Sequence, residues 1–240
     1  MNYICLAAGK GSRFGNLGRY LQKCMYAVLE KPFVEYSLRN CIESKSFNKG
    51  KDRVVFVVGQ HAQQVLEYFG TEYEGVPIDY AYQAEPLGTG HAVALGYEKC
   101  REKSGAVIWQ ADNYVSAQLF DQIYSSPYED ALTITHHVCE FNHNERVDLE
   151  EDRIKTAWKG NSAYIEAGLW KFSNEMIRSM TENKADEYRA LLNVQKMIDK
   201  GKQVGYIENK NWLHLGGTEP TAKENIYQVV TRVMNLEKDR

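Results

Sequence analysis

Apolar positions in the first half of the chain alternate between two rhythms. YICLA (residues 3–7), RVVFVVG (53–59) and GAVIWQ (105–110) are short, nearly continuous apolar runs. Such runs, rich in β-branched side chains, belong to strands buried on both faces. IDYAYQ (78–83) reads as a further strand. Between them FVEYSLRNCI (33–42), AQQVLEYF (62–69) and GHAVALGYEKC (90–100) carry apolar residues at helical spacing. Strand–helix alternation of this kind predicts parallel βαβ units with right-handed crossovers and helices on both faces of one sheet.

After about residue 125 the rhythm changes. ALTITHHV (131–138) and SAYIEAGLWKF (162–172) read as longer strands with mixed faces, and the polar stretch 139–161 between them as a hairpin-rich excursion. Two helices are expected near residues 173–181 and 186–200. In the closing segment 221–236, Thr221 and Glu224 form a capping-box pattern, and Ala222, Ile226, Val229, Val230 and Val233 make one apolar face. No repeat, low-complexity tract or Pro/Gly linker interrupts the chain. The expectation is one α/β domain over residues 1–240, with 1–125 as a nucleotide-binding half and 126–240 as an acceptor-binding half.

Bulk properties narrow the partners. A hydrophobic content of 43% and charged content of 25% are ordinary for a globular protein, and a net charge of −3 offers no field to gather nucleic acid or an anionic membrane. Any anion site must therefore be local. No apolar run approaches the roughly 20 residues that span a bilayer, and no leader pattern is visible at the N-terminus. The five cysteines are odd in number and lack a C-x-x-C pair, which points to reduced thiols and a cytoplasmic location. Oligomerisation stays open.

Candidate chemistry concentrates where the first strand ends. In an open parallel sheet ligands gather at the carboxyl ends of strands, and LAAGKGSRFG (6–15) sits at such an end. Its glycines let backbone N–H groups approach an anion, and Arg13 adds a planar cation suited to phosphate oxygens. The spacing Gly9, Gly11, Gly15 matches neither a Walker loop nor a dinucleotide fingerprint. By itself such a loop is more often plain turn geometry.

LAAGKGSRFG, then Lys23, then KPFVEYSL (31–38) resembles the signature of the sugar-1-phosphate nucleotidylyltransferases, with Gln22 in place of the proline that usually precedes the lysine. QAEPLGTGHAVALG (83–96) resembles that family's Q-x-x-x-x-G-T segment, in the form closest to uridylyltransferases acting on hexose 1-phosphates. GAVIWQADNYV (105–115) resembles the strand ending in the family's metal-binding aspartate, YIEAGLWKF its N-A-G strand, and WLHLGGTEP (212–220) its W-x-D segment.

The resemblance implies a mixed, mostly parallel, Rossmann-like fold of the GT-A-like nucleotidyltransferase type. It also implies metal-assisted attack of a sugar 1-phosphate on the α-phosphate of UTP, dTTP or CTP, releasing pyrophosphate. Arg13, Lys23 and Asp112 would be catalytic. Leu6, Ala7, Ala8, Gly9, Lys10, Gly11, Ser12, Gln83, Gly88 and Thr89 would hold the nucleotide; Asn113, Lys159, Glu166 and Gly168 the acceptor. Asp112 and His214 would meet Mg²⁺, or Mn²⁺ because His214 stands where the family has a second aspartate. Thr89 is also a candidate helix cap. His136, His137 and His143 are read as unliganded. Two alternatives stay open: a cytidylyltransferase for a non-sugar phosphate such as phosphocholine, and a non-catalytic nucleotide-sugar-binding homologue.

Overall fold

The structure is a computed structural model, and it describes residues 1–136, 146–182, 189–216 and 221–238; the side chains of Arg13, Glu182, residues 221–225, Glu237 and Lys238 lie outside that description. The elements run β1 (Asn2–Ala7), β2 (Ala27–Val28), β3 (Lys31–Pro32), α1 (Phe33–Glu43), β4 (Val54–Val58), α2 (Ala62–Phe69), β5 (Glu72–Tyr73) and β6 (Val76–Tyr82). They continue as α3 (Thr89–Lys99), β7 (Ala106–Gln110), β8 (Asn113–Tyr114), α4 (Ala117–Tyr124), β9 (Asp130–His136), β10 (Asp148–Glu150) and β11 (Arg153–Thr156). The chain closes with β12 (Tyr164–Phe172), α5 (Asn174–Glu182), α6 (Ala190–Asp199), β13 (Val204–Glu208), β14 (Leu213–His214) and α7 (Thr221–Lys238).

Among the described residues one ten-stranded sheet has the order β10-β11-β13-β9-β12-β7-β1-β4-β6-β5. Its centre, β7-β1-β4-β6, is parallel throughout. β12 pairs antiparallel with both β7 and β9, and β13 returns parallel to β9. From β1 the chain steps outward to β4 and β6, then crosses back through α3 to β7 on the other side. That reversal opens a crevice at the carboxyl ends of β1 and β7.

The period-2 pattern explains why both faces are covered. Along β4, Val55 and Val57 enter one core, while Val54, Phe56 and Val58 enter the other. The first core is closed by α3, α5 and α6, through residues such as Val93, Ile177 and Val194. The second is closed by α1, α2 and α4, through Leu38, Phe69 and Phe120. A strand with apolar side chains on both faces is stable only between two helical layers.

A smaller third core joins Phe14, Val28, Phe33, Tyr114, Leu213, Leu215 and, from α7, Val229 and Val233. The apolar face read from the closing segment is thus buried at Val229 and Val233, while its Thr221–Glu224 capping pattern and Ala222 lie outside the described side chains. Three things were not legible in the pattern. The two-residue pairs β2–β3 and β8–β14 are too short to show a period. Strand β13 follows a polar stretch and has only Val204 and Gly205 buried.

Candidate functional site

Strand β1 delivers the glycine loop to the crevice. Residues Ser12–Arg19 then form two 3-10 turns across a kink, entered through Gly11 at φ 64. This left-handed conformation is one that a residue with a Cβ adopts only at a cost. Ala111 N–H donates to the Leu6 carbonyl at 3.0 Å, extending the β1–β7 pairing to the residue before Asp112.

A cavity of about 280 Å³ lies along this edge. Leu6, Ala7, Ala8, Gly9, Lys10, Gly11 and Ser12 line it from β1, Gln83, Gly88 and Thr89 from the end of β6 and the start of α3, and Lys23 and Asp112 from the facing side. The glycine loop, Lys23, the Gln83–Thr89 segment and the strand end at Asp112 therefore meet at one space, joined by Gly216, whereas no residue of KPFVEYSL or YIEAGLWKF lines it. The Arg13 side chain lies outside the described residues.

Asp112 is the electrostatic centre. The Lys23 ammonium pairs with its Oδ2, and His214 Nε2 lies 3.1 Å from the same oxygen. Their side chains are 16%, 19% and 26% exposed for Lys23, Asp112 and His214, so the cluster is shielded but open to a ligand. Burial alone pushes the Asp112 carboxyl upward, but Lys23 and then His214 outweigh it and hold the group well below the usual carboxylate range. Cys24, beside Lys23 in the cavity wall, has its thiol pushed up to about 12, first by burial and then by the Asp112 charge.

Two polar side chains of α1 hold the Asp112 segment in place. Ser37 Oγ donates to the Asn113 carbonyl at 2.7 Å and accepts from Val115 N–H at 2.9 Å; Asn40 Nδ2 donates to the Val115 carbonyl at 2.8 Å. Leu215 N–H donates to the Asp112 carbonyl at 2.7 Å, tying β14 to the same segment. The helical spacing of α1 revealed its apolar face but not these partners, which lie 75 to 78 positions away in sequence.

The residues assigned to the acceptor behave differently. Asn113 is 2% exposed and accepts from the Trp212 indole at 2.8 Å. Glu166 is 6% exposed; Trp170 Nε1 donates to its Oε1 at 2.5 Å, Gly168 N–H donates to the same oxygen, and Gln110 Nε2 approaches Oε2 at 3.4 Å. Gly168 packs so closely on Asn113 that a Cβ there would lie 2.2 Å from Asn113 Nδ2. These three thus form a packed, hydrogen-bonded wall rather than a set of open polar groups; none of them lines the cavity, which they meet through Gln110 and Asp112. Lys159 does not line the cavity: it is exposed in the turn after β11, at φ 59.

One smaller expectation is corrected. Thr89 does not cap α3, because Gly88 holds the cap position and the Thr89 hydroxyl instead accepts from Ala190 N–H at 3.0 Å. Gln83 keeps its expected place in the cavity lining; it is buried, and its amide also donates to the Gly88 carbonyl at 3.1 Å, bracing the α3 entry. His136 packs edge-on against Tyr164, while His137 and His143 lie outside the described residues.

Among the described residues no three His, Cys, Asp or Glu side chains gather as a ready cage. One carboxylate suits Mg²⁺ when phosphate oxygens and water complete the shell, and the His214 nitrogen suits Mn²⁺ better. The residues fit a cation brought in with a polyphosphate. No helix among the described residues is long and apolar enough to cross a membrane.

Comparison with known proteins bears on the fold and the family. A D-glycero-alpha-D-manno-heptose 1-phosphate guanylyltransferase of Aneurinibacillus thermoaerophilus is 32% identical over 108 residues, covering 45% of either chain. The bifunctional protein GlmU of Methanococcus vannielii is 23% identical over 95% of this chain and 55% of its own. The chain spans about half the length of these curated relatives. Two solved structures share the fold. One is a UDP-glucose pyrophosphorylase complexed with UDP-glucose, at TM-score 0.75, 18% identity and full coverage of both chains. The other is the inositol-1-phosphate CTP transferase from T. maritima, at TM-score 0.74, 17% identity and 95% coverage of both. The profile of the family described as Nucleotidyl transferase matches residues 2–225, and the chain belongs to that family.

Proposed function

We propose that the chain transfers a nucleotidyl group from a nucleoside triphosphate, with UTP, dTTP and CTP as candidates, to a sugar 1-phosphate. An acceptor oxygen attacks the α-phosphorus in line, the bond to the bridging oxygen breaks, and pyrophosphate leaves with the electron pair. The observation carrying this reading is the convergence of the glycine loop, Lys23, Gln83, Gly88–Thr89 and Asp112 on one cavity.

The chemistry asks for positioning and charge neutralisation rather than a covalent intermediate. Backbone N–H groups from Gly9 to Ser12, with the Arg13 guanidinium, would hold the outer phosphates. The Lys23 ammonium, released from Asp112, would meet the charge that develops at the α-phosphate. Asp112, with His214 beside it, would hold Mg²⁺ or Mn²⁺, which supplies further charge neutralisation at the phosphates. The wall of Asn113, Glu166 and Gly168 would shape the acceptor side, with Lys159 too exposed to act there without movement.

Pyrophosphate release, measured across the common triphosphates, hexose 1-phosphates and phosphocholine with Mg²⁺ or Mn²⁺, tests the reading. Turnover with one pairing is expected, and silence with every pairing would sink it. A second reading, a binding protein without turnover, is favoured by one observation: the family's second acid is His214 here. Activity appearing only in His214→Asp would decide for that second reading.

A further inference from the structure

Gln22 directly precedes Lys23. Its side-chain amide brings a donor and an acceptor into a site that is almost sealed: Gln22 is 3% exposed. Its Nε2 donates to the Ala7 carbonyl at 2.6 Å and to the Gly9 carbonyl at 3.2 Å. These are the last residue of β1 and the first glycine of the loop.

In a trans peptide the C=O and the following N–H point in opposite directions. Fixing the carbonyls of Ala7 and Gly9 therefore fixes the directions of the Ala8 and Lys10 N–H groups, both in the cavity wall. The other end of Gln22 is held as well. Its backbone N–H donates to Gln64 Oε1 at 2.8 Å, and Gln64 Nε2 donates to the Tyr20 carbonyl at 2.7 Å. One amide side chain thus ties the glycine loop to the segment that delivers Lys23, and α2 backs it from outside.

We propose that Gln22 is a positioning residue that presets the glycine loop and Lys23 relative to each other before a triphosphate arrives. The idea rests on the transferase reading for its ligand, but its structural half stands apart from it. Without the bracket, two loop carbonyls lose their buried donor and the loop must be ordered at the expense of binding energy.

Gln22→Glu keeps the volume and removes the donor, while Gln22→Leu removes all polar groups. In both, hydrogen exchange of amides 8–12 in the nucleotide-free protein should accelerate about ten-fold or more, with far-UV circular dichroism unchanged. Calorimetry with UTP, CTP and dTTP in Mg²⁺ should show affinity falling by about ten- to a hundred-fold for whichever triphosphate the wild type binds. KM for that triphosphate should rise more than kcat falls, and KM for the acceptor should stay. If Gln22→Leu does not fold, Gln22→Glu carries the measurement. Wild-type exchange rates and triphosphate affinity in Gln22→Glu overturn the proposal. A wild-type chain that binds no triphosphate overturns the transferase reading, while the exchange rates still decide the bracket.

Discussion

Lys23 and His214 approach the same oxygen of Asp112, so that carboxylate is balanced by two cationic or hydrogen-bonding groups at once. Truncating either main partner should show in different readouts. Lys23→Met removes the charge expected at the α-phosphate, and kcat/KM should fall by about a hundred-fold or more, as for loss of a preorganised stabilising group. Asp112→Asn should change the acid limb of stability. The folded carboxyl is depressed, so its contribution is present above the unfolded value near pH 4 and is lost as pH falls below it toward the folded one. Unfolding free energies from urea titrations between pH 6 and pH 2 should therefore fall more steeply for wild type than for the variant, by up to about 1.4 kcal/mol per pH unit. Equal slopes would mean that Lys23 and His214 do not depress the group. At this scale the glycine loop and the carboxylate ending an apolar strand could be seen in short local stretches, while Lys23 was singled out only by the family resemblance. Ser37, Asn40 and Gln22 were not legible, since an isolated Ser, Asn or Gln in a sequence does not name its partner.

Among the elements, α3 shows how closely a helix can seat on the sheet. A Cβ on Gly96 would lie 2.7 Å from Ile4 Cγ2 and 2.8 Å from Val57 Cγ2. In an exposed helix, exchanging glycine for a larger residue usually helps by up to about 1 kcal/mol. Here Gly96→Val should instead destabilise by about 1–3 kcal/mol through overpacking, measured as a lower urea midpoint. A raised midpoint would show that the β1–β4 face yields. The long, strongly periodic elements were readable at this level, since β1, β4, β7 and α1 to α3 all follow their patterns. What escaped was pairing without period: the short β8–β14 ladder, which sets His214 beside Asn113 and thus next to Asp112, depends on contacts a hundred positions apart.

Taken as a molecule, the protein places its candidate site at the sheet's reversal point and hangs the third core on it. Phe14 from the glycine loop, Tyr114 from the Asp112 segment and Val229 and Val233 of α7 share that core. Ligand binding should therefore stabilise the whole fold. At a hundred times its Kd, a triphosphate with its cation adds about 2.7 kcal/mol, which corresponds to a rise in Tm of about 5–10 °C for a chain of this size. The matching nucleoside, without phosphates, should shift Tm far less if the loop is the anchor; equal shifts would move the anchor to the base. The alternation of the first half foretold the parallel centre, whereas the register of β12 between β7 and β9 depended on long-range packing that no local pattern carries.

Cys24 supplies a chemical timer at the floor of that space. Alkylating reagents attack thiolates and need access, and this sulfur has neither while the cavity wall is closed. Its iodoacetamide labelling, followed on the Cys24 peptide by mass spectrometry, should run at the frequency with which the wall breathes, and a bound triphosphate should slow it.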